Sequence, residues 1–171
     1  MLCAADGWLL EQDALSAPAA LPAVTIPVAK RDGPDVPALL AELGYDARLQ
    51  REQSLLEQVA PTGVPVEYRV LLSGSDRQGA IAWIDTPDAK AAFNDLKRKL
   101  LQTFSAKVKD LVDETTQQPG QPVVNRLSFR DAAISPEQFV FLRIRERLYE
   151  IHIAPGQEAA TEPLLQALPA R

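Results

Sequence analysis

The sequence predicts a single α+β domain in which an antiparallel sheet of about five or six strands is packed by one long amphipathic helix and a short C-terminal helix. Three observations indicate this fold class. Residues 86–114 place apolar side chains three or four positions apart, as one face of a helix requires. Segments on both sides of that stretch alternate apolar and polar residues, as half-buried strands do. The length of 171 residues suits one hydrophobic core.

The predicted domain covers residues 36–171 and follows a segment at residues 1–35 that is rich in proline and alanine. Residues 8–10 and 24–28 of this segment are short apolar runs. Each could form an edge strand, since proline is tolerated at a sheet edge but not in a central strand.

Residues 36–59 combine one clear element with one ambiguous element. Residues 36–43 place three leucines on one helical face and precede Gly44, which predicts a short helix. Residues 45–59 contain few apolar side chains, so two interpretations stay open. We favour a strand through about Gln53, and the alternative is a helix.

Residues 64–73 and 80–85 are predicted to form a β-hairpin. Apolar and charged side chains alternate in the first segment, and the intervening residues 74–79, Gly-Ser-Asp-Arg-Gln-Gly, are rich in turn formers. The second strand leads directly into the predicted long helix.

The long helix is predicted to span residues 86–114. Thr86 offers a capping oxygen, and Pro87 fits the first helical position because it has no amide hydrogen to lose. One face carries a stripe of apolar side chains: Phe93, Leu96, Leu100, Phe104, Val108 and Leu111. We expect this stripe to lie across the sheet.

The remaining elements follow the turn formers at residues 115–120. Alternation predicts a strand at residues 123–130, and residues 139–153 are too long for one ordinary strand, which favours a hairpin. Because its turn contains neither Gly nor Asn, one long bent strand is the alternative. Residues 159–168 are predicted to form the final helix.

Residues 145–168, RERLYEIHIAPGQEAATEPLLQAL, resemble the closing strand and helix of small Mog1/PsbP-like sandwich domains. In those domains a strand that bears a tyrosine is followed by a helix that covers the sheet. The similarity in element order extends over residues 64–171. It implies a non-catalytic accessory or binding module, of a kind that is often secreted or membrane-anchored.

Charge and hydropathy exclude two classes of function. The net charge is −5, and the longest basic run is Lys97-Arg98-Lys99 on the solvent-facing side of the predicted helix. Binding of nucleic acid needs a concentrated positive surface, so nucleic acid is not an expected partner. No window approaches the roughly 20 apolar residues that span a bilayer, so no transmembrane helix is predicted.

Cys3 is the single cysteine, and His152 is the single histidine. A Cys/His zinc site would lack two ligands, and we predict neither a metal nor a cofactor. Leu2-Cys3-Ala4-Ala5 is similar to the end of a bacterial lipoprotein signal, in which the cysteine is lipidated. If a leader precedes Met1, Cys3 would tether the protein peripherally to the membrane of the cell envelope; otherwise the expected location is cytoplasmic and Cys3 is an ordinary cysteine.

No catalytic constellation is predicted. His152 is the only imidazole base, and its strand position is typical of a surface or partly buried sheet residue. Carboxylate pairs such as Asp85 with Asp88 are explained by capping and solubility. We therefore predict a protein that is not an enzyme.

A ladder of arginines is the main candidate site: Arg126, Arg130, Arg143 and Arg145, with Arg147 beside them. If their strands are neighbours, they could share one sheet face and bind a small anionic ligand or a protein partner that carries carboxylates. The alternative is a solvated face balanced by glutamates. The favoured function is an accessory or binding protein; the alternatives are a small enzyme or sensor with an arginine-lined pocket and a homo-oligomer formed through a sheet edge.

Overall fold

A computed structural model describes residues 33–171. In chain order this part of the protein contains α1 (Val36–Glu42), β1 (Asp46–Arg48), a 3₁₀ helix (Leu55–Gln58), β2 (Glu67–Ser73), β3 (Asp76–Asp85), α2 (Ala89–Thr103), β4 (Val108–Thr116), β5 (Val124–Asp131), β6 (Gln138–Ile144), β7 (Arg147–Ile153) and α3 (Glu158–Ala167). The predicted α+β class is confirmed. The predicted segments 8–10 and 24–28 lie outside the described residues.

The seven strands form one antiparallel sheet in the order β1-β2-β3-β7-β6-β5-β4. Strands β1 to β3 and strands β4 to β7 are two meanders, in which each strand pairs with the next one along the chain. The two meanders join where β3 pairs with β7, and we call this pairing the central seam. The seam places residues that are distant in sequence side by side at the middle of the sheet.

Both faces of the sheet are covered. On one face, α1 and α3 pack through Leu40 and Leu164 against apolar residues that include Ile81 and Ile151. On the other face, α2 and the 3₁₀ helix pack against a second cluster that includes Phe129. We call these the α1/α3 face and the α2 face.

Helix α2 places its apolar stripe against the sheet, as expected. Phe93, Leu96 and Leu100 are buried, and all three belong to the cluster on the α2 face. Burying apolar side chains of this size contributes roughly 1.5–3 kcal/mol each, so this stripe is a main source of the layer's stability.

The prediction that the helix extends to residue 114 is wrong. Helix α2 ends at Thr103, and the chain turns at Ser105 and continues as β4. Buried Asp131 holds this turn by accepting hydrogen bonds from Ser105 N at 3.0 Å and Ser105 Oγ at 2.5 Å. Leu111, assigned by its spacing to the helical stripe, is an exposed residue of the edge strand.

The segment at residues 45–59 is mostly irregular. The favoured strand is limited to the three residues of β1. The alternative of a helix is limited to the 3₁₀ helix at Leu55–Gln58. Ser54 caps that short helix by accepting from Leu56 N at 3.1 Å. This segment contacts the sheet through only a few side chains, including the fully buried Leu56. Its sequence therefore contains few apolar residues.

The hairpin predicted at residues 139–153 is confirmed, and the single long strand is wrong. Strands β6 and β7 pair from Gln138 opposite Ile153 to Ile144 opposite Arg147. Arg145 makes the turn with a φ of 54°, a left-handed conformation that glycine or asparagine would adopt more readily. The lack of Gly and Asn, which left the single strand open as an alternative, does not prevent a turn here.

Candidate functional site

The four predicted arginines do not lie on one sheet face. Arg126 and Arg130 are on the α1/α3 face, opposite Leu142 and Gln138 of β6. Arg143 pairs with Asn125 in the alternating register, so its side chain belongs to the α2 face. Arg145 is exposed in the turn between β6 and β7. The expectation of one shared face is wrong for Arg143 and Arg145.

Two of these arginines are engaged by neighbouring side chains. Arg130 contacts Glu158 at 2.6 Å and Asp110 at 3.3 Å, and its contact with Glu158 lowers the pKa of that carboxyl. Arg143 donates to Asn125 Oδ1 at 3.3 Å. The ionic partners of Arg130 leave it less suited than Arg126 to receive a ligand anion.

Arg126 lines an open groove between α3 and the outer strands of the sheet. The groove has a volume of about 450 Å³, within the range of roughly 300–1,000 Å³ typical of small-molecule sites. Its walls come from β4, β5, β6, the β4–β5 connection and α3: Glu114, Thr116, Gln118, Gln121, Pro122, Val124, Arg126, Leu142, Glu162, Leu165, Gln166 and Pro169. Helix α3 packs against β3 on this face, and the groove lies between α3 and strands β4, β5 and β6.

The guanidinium of Arg126 is incompletely paired. Its Nη1 lies 3.8 Å from Glu114 Oε1, a loose ion pair, and its buried Nε has no hydrogen-bond partner among residues 33–171. A buried donor without a partner loses the free energy of its hydration. Because 35% of the Arg126 side chain is exposed, a ligand in the groove would meet its terminal nitrogens rather than the buried Nε. The buried Nε of Arg143 also has no partner among residues 33–171, but Arg143 lies on the α2 face and does not line this groove. Of the predicted site residues, Arg126 is thus the one that a ligand in the groove would meet.

A second polar cluster lies on the α2 face at one end of the central seam, and it was missed by sequence reasoning. His152 of β7 lies between two carboxylates: Glu150 Oε1 is 2.7 Å from Nε2, and Glu137 Oε2 is 3.3 Å from Nδ1. Glu150 is almost fully buried, and its other oxygen accepts hydrogen bonds from Ser54 Oγ and, at 3.2 Å, from Leu56 N. The cluster thus joins β7 to the segment before the 3₁₀ helix.

Arg77 extends the same cluster across the sheet. Its Nε donates to Glu137 at 2.9 Å, and its two terminal nitrogens bind both oxygens of Glu52 at 2.6 and 2.9 Å. These contacts raise the pKa of Arg77 even though burial opposes the charged form. The chain of contacts from Glu52 to Ser54 ties four separate segments together.

The cluster holds His152 in its charged form. Burial by itself lowers the pKa of His152, but its contacts with Glu137 and Glu150 outweigh burial and raise the pKa to about 9. The contact with His152, supported by Arg77, lowers the pKa of Glu137 to about 2 despite burial. At neutral pH the ring is an imidazolium between two carboxylates.

This arrangement differs from a nucleophilic triad. A general base needs a free ring nitrogen within reach of the hydroxyl that it deprotonates. Both nitrogens of His152 are occupied by carboxylates, and Ser54 donates to Glu150 rather than to the ring. The geometry is that of an electrostatic clasp that fixes neighbouring segments.

A second clasp lies on the α1/α3 face at the opposite end of the seam. Arg147 binds both oxygens of Asp85 at 2.6 and 3.0 Å, and it also donates to Pro34 O at 2.5 Å. Only 4% of the Arg147 side chain is exposed, so this pair is strongly sheltered from water. The contacts of Arg147 thus hold elements of the fold together, and its guanidinium is already paired with Asp85.

No protein-family model matches the chain, and no curated protein matches it. Among residues 33–171, no helix has both the length and the apolarity needed to cross a membrane, and no three His, Cys, Asp or Glu side chains are grouped to hold a metal ion. Cys3 lies outside the described part of the chain, so its lipid attachment stays a prediction.

Proposed function

We propose that this protein is a non-enzymatic binding protein whose ligand places a carboxylate on Arg126 in the groove between α3 and the outer strands. The observation that carries the proposal is the incomplete pairing of Arg126. Its Nε is buried without a partner among the described residues, and its contact with Glu114 is long. A carboxylate accepts two parallel hydrogen bonds from a guanidinium, and the 35% exposed side chain with its loosely paired Nη1 can offer them.

The occupied state of His152 supports a binding role over a catalytic one. The only imidazole of the chain is held between Glu137 and Glu150, away from the groove. From the described part of the chain, the groove offers one cation, two carboxylates, amides and apolar side chains, which suit recognition of a ligand.

The resemblance to Mog1/PsbP-like accessory modules agrees with this proposal, and so does the hypothesis of a tether at Cys3. A lipid on Cys3 would place the groove at a membrane surface in the cell envelope, where it would meet solutes or partners outside the cytoplasm. Mass spectrometry of the protein purified from its native membranes tests this part. A diacylglycerol adduct on the cysteine supports the tether, and an unmodified Cys3 overturns it.

Two-dimensional NMR of the full chain tests the ligand site. We expect organic carboxylates, tested with and without an amino group, to shift backbone amide signals of Thr116, Gln121 and Leu165 in the groove. The variant Arg126→Gln should weaken this binding roughly tenfold or more, because a hydrogen bond to a charged group contributes about 1.5–3 kcal/mol.

Arg130→Gln is the matched control. Arg130 lies on the same strand and face and has similar exposure, but it does not line the groove. This variant should bind as the wild type does. If no carboxylate shifts the groove signals, or if Arg126→Gln binds as tightly as the wild type, the proposal fails.

A further inference from the structure

We infer that the ligand of this groove is zwitterionic, an apolar α-amino acid or a short apolar peptide, with its carboxylate on Arg126 and its ammonium between Glu114 and Glu162. The inference rests on the proposed function and specifies the chemical class of the ligand. It follows from the charges of the groove, their spacing and the apolar side chains beside them.

The charges of the groove disfavour a simple anion. Among residues 33–171, Arg126 is the single cationic side chain in the wall, whereas Glu114 and Glu162 contribute two carboxylates. Glu162 accepts a hydrogen bond from Gln166 at 3.0 Å and has no cationic partner among residues 33–171. A ligand that carried only a carboxylate would gain one attraction and meet two repulsions, while an added ammonium converts those repulsions into attractions.

The opposite charges of the wall lie close together, which suits a zwitterion such as an α-amino acid. Arg126 Nη1 and Glu114 Oε1 are 3.8 Å apart, so a positive and a negative group of the protein are adjacent in the wall. In an α-amino acid the ammonium and the carboxylate are attached to the same carbon. The two charges of such a ligand can therefore meet the two charges of the protein at the same time.

Apolar side chains beside these charges indicate that the ligand carries an apolar side chain of its own. Val124, Leu142 and Leu165 line the groove next to Arg126, and Leu142 is buried. An aliphatic or aromatic side chain would lose contact with water against them. The volume of about 450 Å³ accommodates a ligand of this size.

Calorimetric titration of the full chain with three matched compounds tests the inference. Leucine carries both charges, isocaproate is leucine without the ammonium, and isoamylamine is leucine without the carboxylate. Dileucine is titrated in parallel as the peptide. We expect leucine or dileucine to bind roughly tenfold or more tightly than either single-charge analogue.

Two variants test which protein side chain binds each charge of the ligand. Arg126→Gln should abolish the advantage of leucine over isoamylamine, and Glu162→Gln should reduce its advantage over isocaproate. Glu158→Gln is the control, because Glu158 lies one turn earlier on the same helix, binds Arg130 and does not line the groove.

The outcomes separate this inference from the proposed function. If isocaproate binds as tightly as leucine and dileucine and depends on Arg126, the groove is a carboxylate site and the zwitterion inference is overturned. If none of the compounds binds, both proposals are overturned. If leucine or dileucine binds best but Glu162→Gln leaves its advantage unchanged, Glu162 has no part and the inference is overturned.

Discussion

His152 has a different environment from the one that its sequence position suggested. A histidine in an alternating strand usually meets water or a neutral neighbour, whereas this ring lies between Glu137 and Glu150, with Phe139 packed edge-on at 4.7 Å between ring centroids. Its protonated form is thus part of the folded structure. Breaking such a sheltered pair by removing one partner is costly, because a buried charge is then left alone.

The first prediction concerns the pH dependence of stability. The folded-state pKa of His152 is about 9, above its ordinary value of 6.5. The protonated ring therefore stabilises the fold fully below about pH 6.5, and this contribution is lost as pH rises towards 9. The free energy of unfolding should fall by roughly 3–4 kcal/mol at most over this range, since one pH unit corresponds to about 1.4 kcal/mol.

Urea unfolding of the wild type and His152→Gln at several pH values measures this effect. The variant should be less stable at pH 6, and it should lose the alkaline slope because it has no imidazole to titrate. A variant that kept the slope of the wild type would show that another group is responsible.

The second prediction concerns Gly79 in the central seam. A Cβ atom added to Gly79 would lie 2.1 Å from His152 O, far inside van der Waals contact with the neighbouring backbone. Gly79→Ala should therefore push β3 away from β7 and destabilise the fold by about 1–3 kcal/mol. Thermal unfolding provides the measurement, and an unchanged midpoint would contradict the close approach.

The polar cluster could not be predicted from the sequence, because its members are scattered. The register of β3, β6 and β7 brings Arg77 and Glu137 to His152. Glu52 joins from the segment before the 3₁₀ helix by binding Arg77. Arg126 could be identified as a candidate, since alternation placed it on a strand. Its groove could not, because that depends on where α3 stops covering the sheet.

The strands and helices were predicted best where periodicity and burial agree. Strands β5, β6 and β7 are largely buried on both faces of the sheet, and their apolar residues gave the correct elements. In β4 nearly every residue is exposed: Val108 packs against the edge of the cluster on the α2 face, whereas Leu111 and Val112 face solvent. Val108 and Leu111 then matched a helical period by chance, and the helix was extended too far.

The third prediction compares two residues of α2. Phe93 is buried against the sheet, whereas Leu101 is 45% exposed on the same helix. Phe93→Ala should destabilise the protein by about 3–5 kcal/mol, because it leaves a cavity in the core. Leu101→Ala should change stability by no more than about 0.5 kcal/mol. Similar effects in urea unfolding would mean that the stripe of α2 does not face the sheet.

The sheet formed by residues 33–171 has unequal edges. At one edge β1 is only three residues long, and at the other β4 is nine residues long with exposed Leu111 and Val112. A β-bulge interrupts β4 between Lys109 and Val112, where Asp110 has a φ of 53°. Bulges and charged side chains both oppose pairing between sheet edges.

The fourth prediction follows from this edge. Two copies that paired through the regular end of β4 would bring Asp113 and Glu114 close to their own copies, which like-charge repulsion disfavours. We therefore expect sedimentation to show a monomer at micromolar concentration. A dimer that the substitution Val112→Lys dissociates would instead identify β4 as the interface of a homo-oligomer.

The two-meander topology also bears on how the chain reaches this structure. Within each meander, neighbouring strands are joined directly along the chain, but the seam pairs Asp85 with Arg147 across 62 positions. Closing a long loop costs chain entropy before any contact compensates for it, so local hairpins form faster than distant pairings. The docking of two preformed halves should therefore set the refolding time of the molecule.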